Sequence, residues 1–81
     1  MSKQHHEISK QVALTIRRKR ENLNFSQEYM AAKLDIAQST YHEMESGKSS
    51  ITIDRLAAIC QIFDISVNGI LEDIPIESIP Y

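Results

Sequence analysis

The chain has 81 residues, enough for one hydrophobic core and too few for two, since a chain this short hides only about 60–65% of its unfolded surface on folding. With 42% hydrophobic and 25% charged residues it has the balance of an ordinary globular domain, and no apolar run approaches the roughly 20 residues of a membrane-spanning helix. The formal net charge of −2 excludes a uniformly basic polyanion binder, yet residues 1–63 hold all nine Lys and Arg against seven acids, while Asp64, Glu72, Asp73 and Glu77 occupy a C-terminal stretch without a base.

The opening segment, MSKQHHEISKQ, lacks the apolar stretch and small-residue cleavage site of a secretory signal, so a cytoplasmic location is expected. Residues 1–6 are expected to be disordered. His5 and His6 stand there without Cys or acidic ligands at metal spacing, and no metal or other cofactor is expected. From Ile8 onward, Val12, Ile16 and Leu23 recur on one helical stripe, which predicts a first helix over 7–22. Asn24 suits the left-handed conformation beyond a helix end, and Phe25 returns the chain to the core.

Ser26 is a good N-cap for a second helix over 27–34, with Met30, Ala31 and Leu34 on one face. Asp35 and Ile36 make a tight connection to a third helix over 37–46, with Ala37, Tyr41 and Met44 inward and Gln38, Ser39, His42, Glu43 and Ser46 outward. Gly47 suits the positive φ that often ends a helix. After a loop at 48–51, Thr52 caps a fourth helix whose stripe is Ile53, Leu56, Ala57, Cys60 and Phe63, widened by Ile59; Asp54 in its first turn complements the helix dipole. The lone Cys60 excludes an intramolecular disulfide and reads as a small core residue. Ser66 caps a short fifth helix over 67–71, and Pro75 and Pro80 predict an extended tail over 72–81. The expected fold class is all-α: five short helices forming one domain over 7–71, followed by an extended C-terminal tail.

Three stretches, FSQEYMA, STYHEMESGK and ITIDRLAAICQIFDIS, stand in order and without gaps within residues 16–71, which resemble the helix-turn-helix domain of the phage Cro and repressor family. The resemblance implies a lambda-repressor-like domain with its helix-turn-helix in 27–46, and a non-enzymatic regulator that binds double-stranded DNA. The family usually has glycine where this chain has Asn24, Asp35 and Asp64, residue types that also visit left-handed geometry. Ala31 must be small because the second and third helices cross closely.

The same resemblance implies that the third helix lies in the major groove, with Gln38, Ser39 and Glu43 at base-reading positions and His42 on the same outward face. Glutamine can contact adenine twice, serine serves several bases and glutamate accepts from the cytosine amino group. A carboxylate near phosphates opposes binding unless it meets a donor, so Glu43 has two further readings: pairing with Lys or Arg, or repelling wrong sites. Gln27 matches a position that grips phosphate and braces Gln38; Thr40, Ser46, Lys48 and Arg17 are the other phosphate candidates. Arg20 and Glu45 match a partly buried ion pair that ties the first helix to the end of the third.

A regulator of this type is expected to pair two domains on a palindrome, as a homodimer. Ile62, Val67, Ile70, Leu71, Ile74 and Ile76 give the C-terminal end more apolar surface than one short helix buries. Two readings stand: a two-fold interface built from the fifth helix and the tail, or a tail folded over the first and fifth helices of its own subunit. No nucleophile–base pair and no phosphate-binding glycine loop is visible, and neither an enzyme nor a small-molecule ligand is expected. The alternative reading is a protein-interaction module or antitoxin that keeps the fold and acts through a protein partner.

Overall fold

The helix boundaries follow from a few capping residues. Ser26 Oγ accepts from the Tyr29 amide at 2.9 Å, Thr52 Oγ1 from Arg55 at 3.1 Å and Ser66 Oγ from Gly69 at 3.2 Å. Each satisfies one of the amides that a first helical turn leaves unpaired, a contribution of about 1 kcal/mol apiece. At the other ends the chain turns left-handed at Asn24, Asp35 and Asp64, with φ of 60°, 58° and 60°, and at Gly47, with φ of 82°. The residue after each donates its amide back to the carbonyl five positions earlier: Phe25 to Arg20, Ile36 to Ala31, Lys48 to Glu43 and Ile65 to Cys60. Three of those four residues are apolar and pack on the core, which closes the helix and directs the next segment inward. The exception, Lys48, is exposed.

The computed structural model describes residues 2–74, and side chains from residue 7 onward. These residues form α1 (Ser2–Asn22), α2 (Gln27–Leu34), α3 (Gln38–Glu45), α4 (Ile53–Phe63) and α5 (Val67–Leu71), with no strand among the described residues. No helix among them is long and apolar enough to cross a membrane. α2 packs on α3 and α4, α1 on α3 and α5, and α4 on α5. Ile16, Met30, Tyr41, Ile59 and Ile70 are the largest side chains wholly enclosed between them. Cys60 lies in this core, where burial pushes its thiol pKa up and keeps it in the unreactive protonated form.

Several expectations need correction. α1 begins at Ser2, ahead of the expected start at residue 7: residues 2–6 contain no Gly or Pro, so nothing in them interrupts the helix. Its buried face also includes Ala13 and Thr15, because α1 packs against two helices and the face is wider than one stripe. Thr15 meets its own need by donating to the Gln11 carbonyl at 3.0 Å. Leu23, expected inward, is 43% exposed, since the helix ends one residue before it. In α4 the buried positions Leu56, Ile59, Cys60 and Phe63 all belong to the expected face, whereas two of its expected members, Ala57 and Ile53, are exposed, Ile53 to 75%; the buried i, i+3, i+4, i+7 pattern starts at Leu56, so the face is centred toward Ile59. Ala37 is an exposed N-cap with extended backbone and not an inward residue of α3.

The C-terminal end is the largest correction. Residues 72–74 turn, and are not extended: the amides of Glu72, Asp73 and Ile74 donate to the carbonyls of Asn68, Ile70 and Leu71. This turn lays Ile74 on the core and brings the Asp73 carboxylate to 3.2 Å from Lys19 Nζ of α1. Ile70, 0% exposed, and Ile74 are therefore core residues of their own subunit, with almost no surface left for the interface expected of them. Ile62 and Val67 are half-buried and Leu71 is exposed. Ile76 and the rest of the tail lie outside the described residues.

Candidate nucleic-acid interface

α2 and α3 are joined by a turn of three residues, and this shortness forces a close crossing. Ala31, 3% exposed, stands at the point where a longer side chain would drive the two helices apart. α3 buries Tyr41, Met44 and Glu45 and turns Gln38, Ser39, Thr40, His42, Glu43 and Ser46 outward. Its first turn carries no acid, and Ala37 supplies no side-chain cap. The amides at that end, with the positive end of the helix dipole, remain open to an external acceptor.

The orientation of α3 is fixed at its far end by one carboxylate. Arg20 of α1 grips Glu45 with two nitrogens, Nε to Oε2 at 2.8 Å and Nη2 to Oε1 at 3.0 Å. Its remaining Nη1 donates to the Phe25 carbonyl at 2.7 Å. Tyr41 Oη adds a bond to Oε2 at 2.7 Å, and Gln27 Nε2 of α2 adds one to Oε1 at 2.9 Å. Burial alone would push the Glu45 carboxyl pKa up, but these hydrogen bonds and the Arg20 charge outweigh it and hold it below the ordinary carboxylate value. The bond to Glu45 likewise raises Arg20 against the effect of its own burial. Burial, then the adjoining carboxylate, pushes the Tyr41 phenol far up, so it remains a donor. No buried side-chain nitrogen or oxygen among the described residues lacks a partner, the condition under which a buried ion pair is tolerable.

The expected pairing of Arg20 with Glu45 is thus present, and it is larger than the sequence indicated. Tyr41, read only as a core residue, and Gln27, read as a phosphate ligand, are both part of it. The i, i+4 spacing of Tyr41 and Glu45 was the available signal; Gln27 had none. Gln27 forms no hydrogen bond with Gln38 among the described residues; its Oε1 lies instead 3.2 Å from His42 Nδ1.

Arg17 is exposed and holds Glu21 at 3.2 Å. It lines a depression of about 130 Å³ together with Gln27, His42, Glu45 and Ser46, which places it on the same side as the outer face of α3. Ser46 Oγ donates to the Glu43 carbonyl at 2.9 Å, leaving its oxygen as an acceptor. Glu43 takes part in no ion pair among the described residues. At the opposite flank, Thr40 borders a second depression, of about 160 Å³, whose rim includes Ser50, Thr52 and Arg55. Arg55 was absent from the sequence candidates, because nothing in its local pattern separates it from an ordinary charge in a first helical turn.

The arrangement is two tightly crossed helices, the second with a polar outward face, flanked by arginines and open amides. A family model described as helix-turn-helix matches residues 16–70. The chain belongs to this family, the Cro/C1-type helix-turn-helix proteins. No curated protein and no solved structure matches the chain. This helix-turn-helix family is one of DNA-binding transcription regulators and is not enzymatic. Within it, α2 and α3 are the two helices of the motif, and α3 occupies the position of the recognition helix.

Proposed function

We propose that the protein is a sequence-specific transcriptional repressor of the cytoplasm that binds a palindromic operator as a homodimer, with α3 in the major groove. The observation that carries the reading is the outward face of α3, polar throughout and held in place at Glu45 by bonds from α1, α2 and α3 itself. Preorganisation of this kind lets base contacts form without first paying to order the helix. Gln38 and Ser39 in the first turn, and His42 and Glu43 in the second, are the base readers. Gln27, Arg17, Thr40 and Lys48 serve the phosphate backbone, Ser46 does so by turning its hydroxyl from the Glu43 carbonyl to a phosphate oxygen, and Arg55 joins them through its place beside Thr40.

Selection of bound fragments from a random DNA pool tests the whole reading. A palindrome with half-sites about one helical turn apart, roughly 34 Å, is the expected outcome. Gel shifts on the selected site with Gln38→Ala then test base reading: discrimination at one base pair per half-site falls, by about 1–3 kcal/mol. Binding that weakens equally on every sequence would remove Gln38 from the readers. Failure to retain any DNA at low salt would refute the function.

A further inference from the structure

Glu45 is already held by two positively charged nitrogens, and an ionised carboxylate only accepts hydrogen bonds. The Gln27 atom 2.9 Å from it is therefore the amide nitrogen, which fixes the amide the other way round at its far side. There the amide oxygen faces His42 Nδ1 at 3.2 Å. An amide oxygen also only accepts, so Nδ1 must carry the ring proton. In the neutral imidazole the second nitrogen, Nε2, is then a bare acceptor. An exposed histidine left to itself favours the opposite tautomer, so the relay from Arg20 through Glu45 and Gln27 works against the intrinsic preference of the ring.

We propose that Gln27 is a positioning residue that sets the tautomer of His42, and that His42 Nε2 and the neighbouring Glu43 carboxylate make the second turn of α3 an acceptor-only reading edge. Such an edge selects bases that present an amino group in the major groove, adenine and cytosine. It rejects guanine and thymine, which present acceptors there. On this account Glu43 is a reader matched to its neighbour, both residues being exposed on the same helical turn. The inference rests on the DNA-reading role proposed for α3, but its first half concerns the free protein alone.

The experiment has two arms. Long-range 1H–15N spectra of the DNA-free protein report which ring nitrogen of the neutral imidazole is protonated; His42→Asn assigns the signal against His5 and His6. The wild-type protein is expected to show Nδ1–H at His42, and Gln27→Ala a return to the free-histidine distribution. Gln27→Lys, whose ammonium can only donate, is expected to move the proton to Nε2. Circular dichroism melting verifies that both variants remain folded, and a tautomer that is the same in all three proteins overturns the assignment. In the second arm, pool selection with wild type is expected to enrich adenine or cytosine opposite the second turn. Gln27→Lys is expected to reduce that preference about tenfold, with guanine gaining. Selection unchanged while the tautomer inverts overturns the reading edge. Wild-type protein that retains no DNA overturns the proposed function and the reading edge with it, while the spectra still decide the tautomer.

Discussion

Replacing Arg20 by leucine removes two hydrogen bonds and the compensating charge from Glu45, whose side chain is 1% exposed. The carboxylate keeps Tyr41 and Gln27 but has lost the group that made its burial tolerable. Breaking one partner of such a pair costs about 3–5 kcal/mol, against a total stability of roughly 4–12 kcal/mol for a domain of this length. Urea unfolding followed by circular dichroism at pH 7 measures the loss as a lower midpoint at unchanged slope. The double variant Arg20→Leu with Glu45→Met is expected to recover most of it, because no stranded charge remains. The pH dependence carries the sign. In the wild-type protein the Glu45 pKa is depressed, so its contribution is fully present above the unfolded carboxylate value, about 4.3, and is lost as pH falls through the lower folded value. In Arg20→Leu the burial effect is opposed by less, so the deficit is greatest at neutral pH and narrows as the carboxyl protonates. A single-variant cost below about 1 kcal/mol, or a double variant no more stable than the single, would refute the account of a buried, mutually dependent pair.

Asp64→Gly removes the strain of a side chain at φ 60° and adds backbone entropy to the unfolded chain; the first effect outweighs the second by about 0.5 kcal/mol, and thermal melting is expected to shift up by about 2–4 °C. Gly47→Ala has the opposite sign. A Cβ at φ 82° would stand 3.1 Å from Lys10 Cγ, and a loss of about 1–2 kcal/mol is expected in urea unfolding. Leu71 is the exposed apolar residue of α5, and in the proposed homodimer Leu71→Glu is expected to shift sedimentation equilibrium toward monomer without altering the melting of the isolated subunit; an unchanged mass would remove α5 from the proposed interface.

Punctuation was the most legible part of this chain. Ser26, Thr52 and Ser66 cap the helices they were expected to cap, and Asn24, Asp35 and Asp64 occupy left-handed turns where the family has glycine. These features are local, since a cap needs only its own first turn and a helix stop only its own last one. Buried faces were less legible because they depend on what lies opposite. Ala13 and Thr15 are buried on a face of α1 that meets both α3 and α5, and in α4 the expected stripe members Ile53 and Ala57 are left exposed. The C-terminal turn escaped for a related reason: residues 72–74 are directed by Ile74 reaching the core and Asp73 reaching Lys19, contacts that no local sequence signal announces. At the site, the pairing of Arg20 with Glu45 came from the resemblance. The bonds from Tyr41 and Gln27 arise only once α2 and α3 are crossed.

Hanging three helices on one carboxylate also determines how the domain can breathe. α3 cannot lift away alone at low cost, since withdrawing Glu45 would strip the buried Arg20 guanidinium of α1 of its carboxylate and the half-buried Gln27 amide of α2 of its acceptor. Small fluctuations in this region are therefore suppressed, and the lowest-energy opening left to it is a collective one in which the end of α1, α2 and α3 expose their amides together. The outward face of α3 accordingly keeps its shape until the motif as a whole gives way.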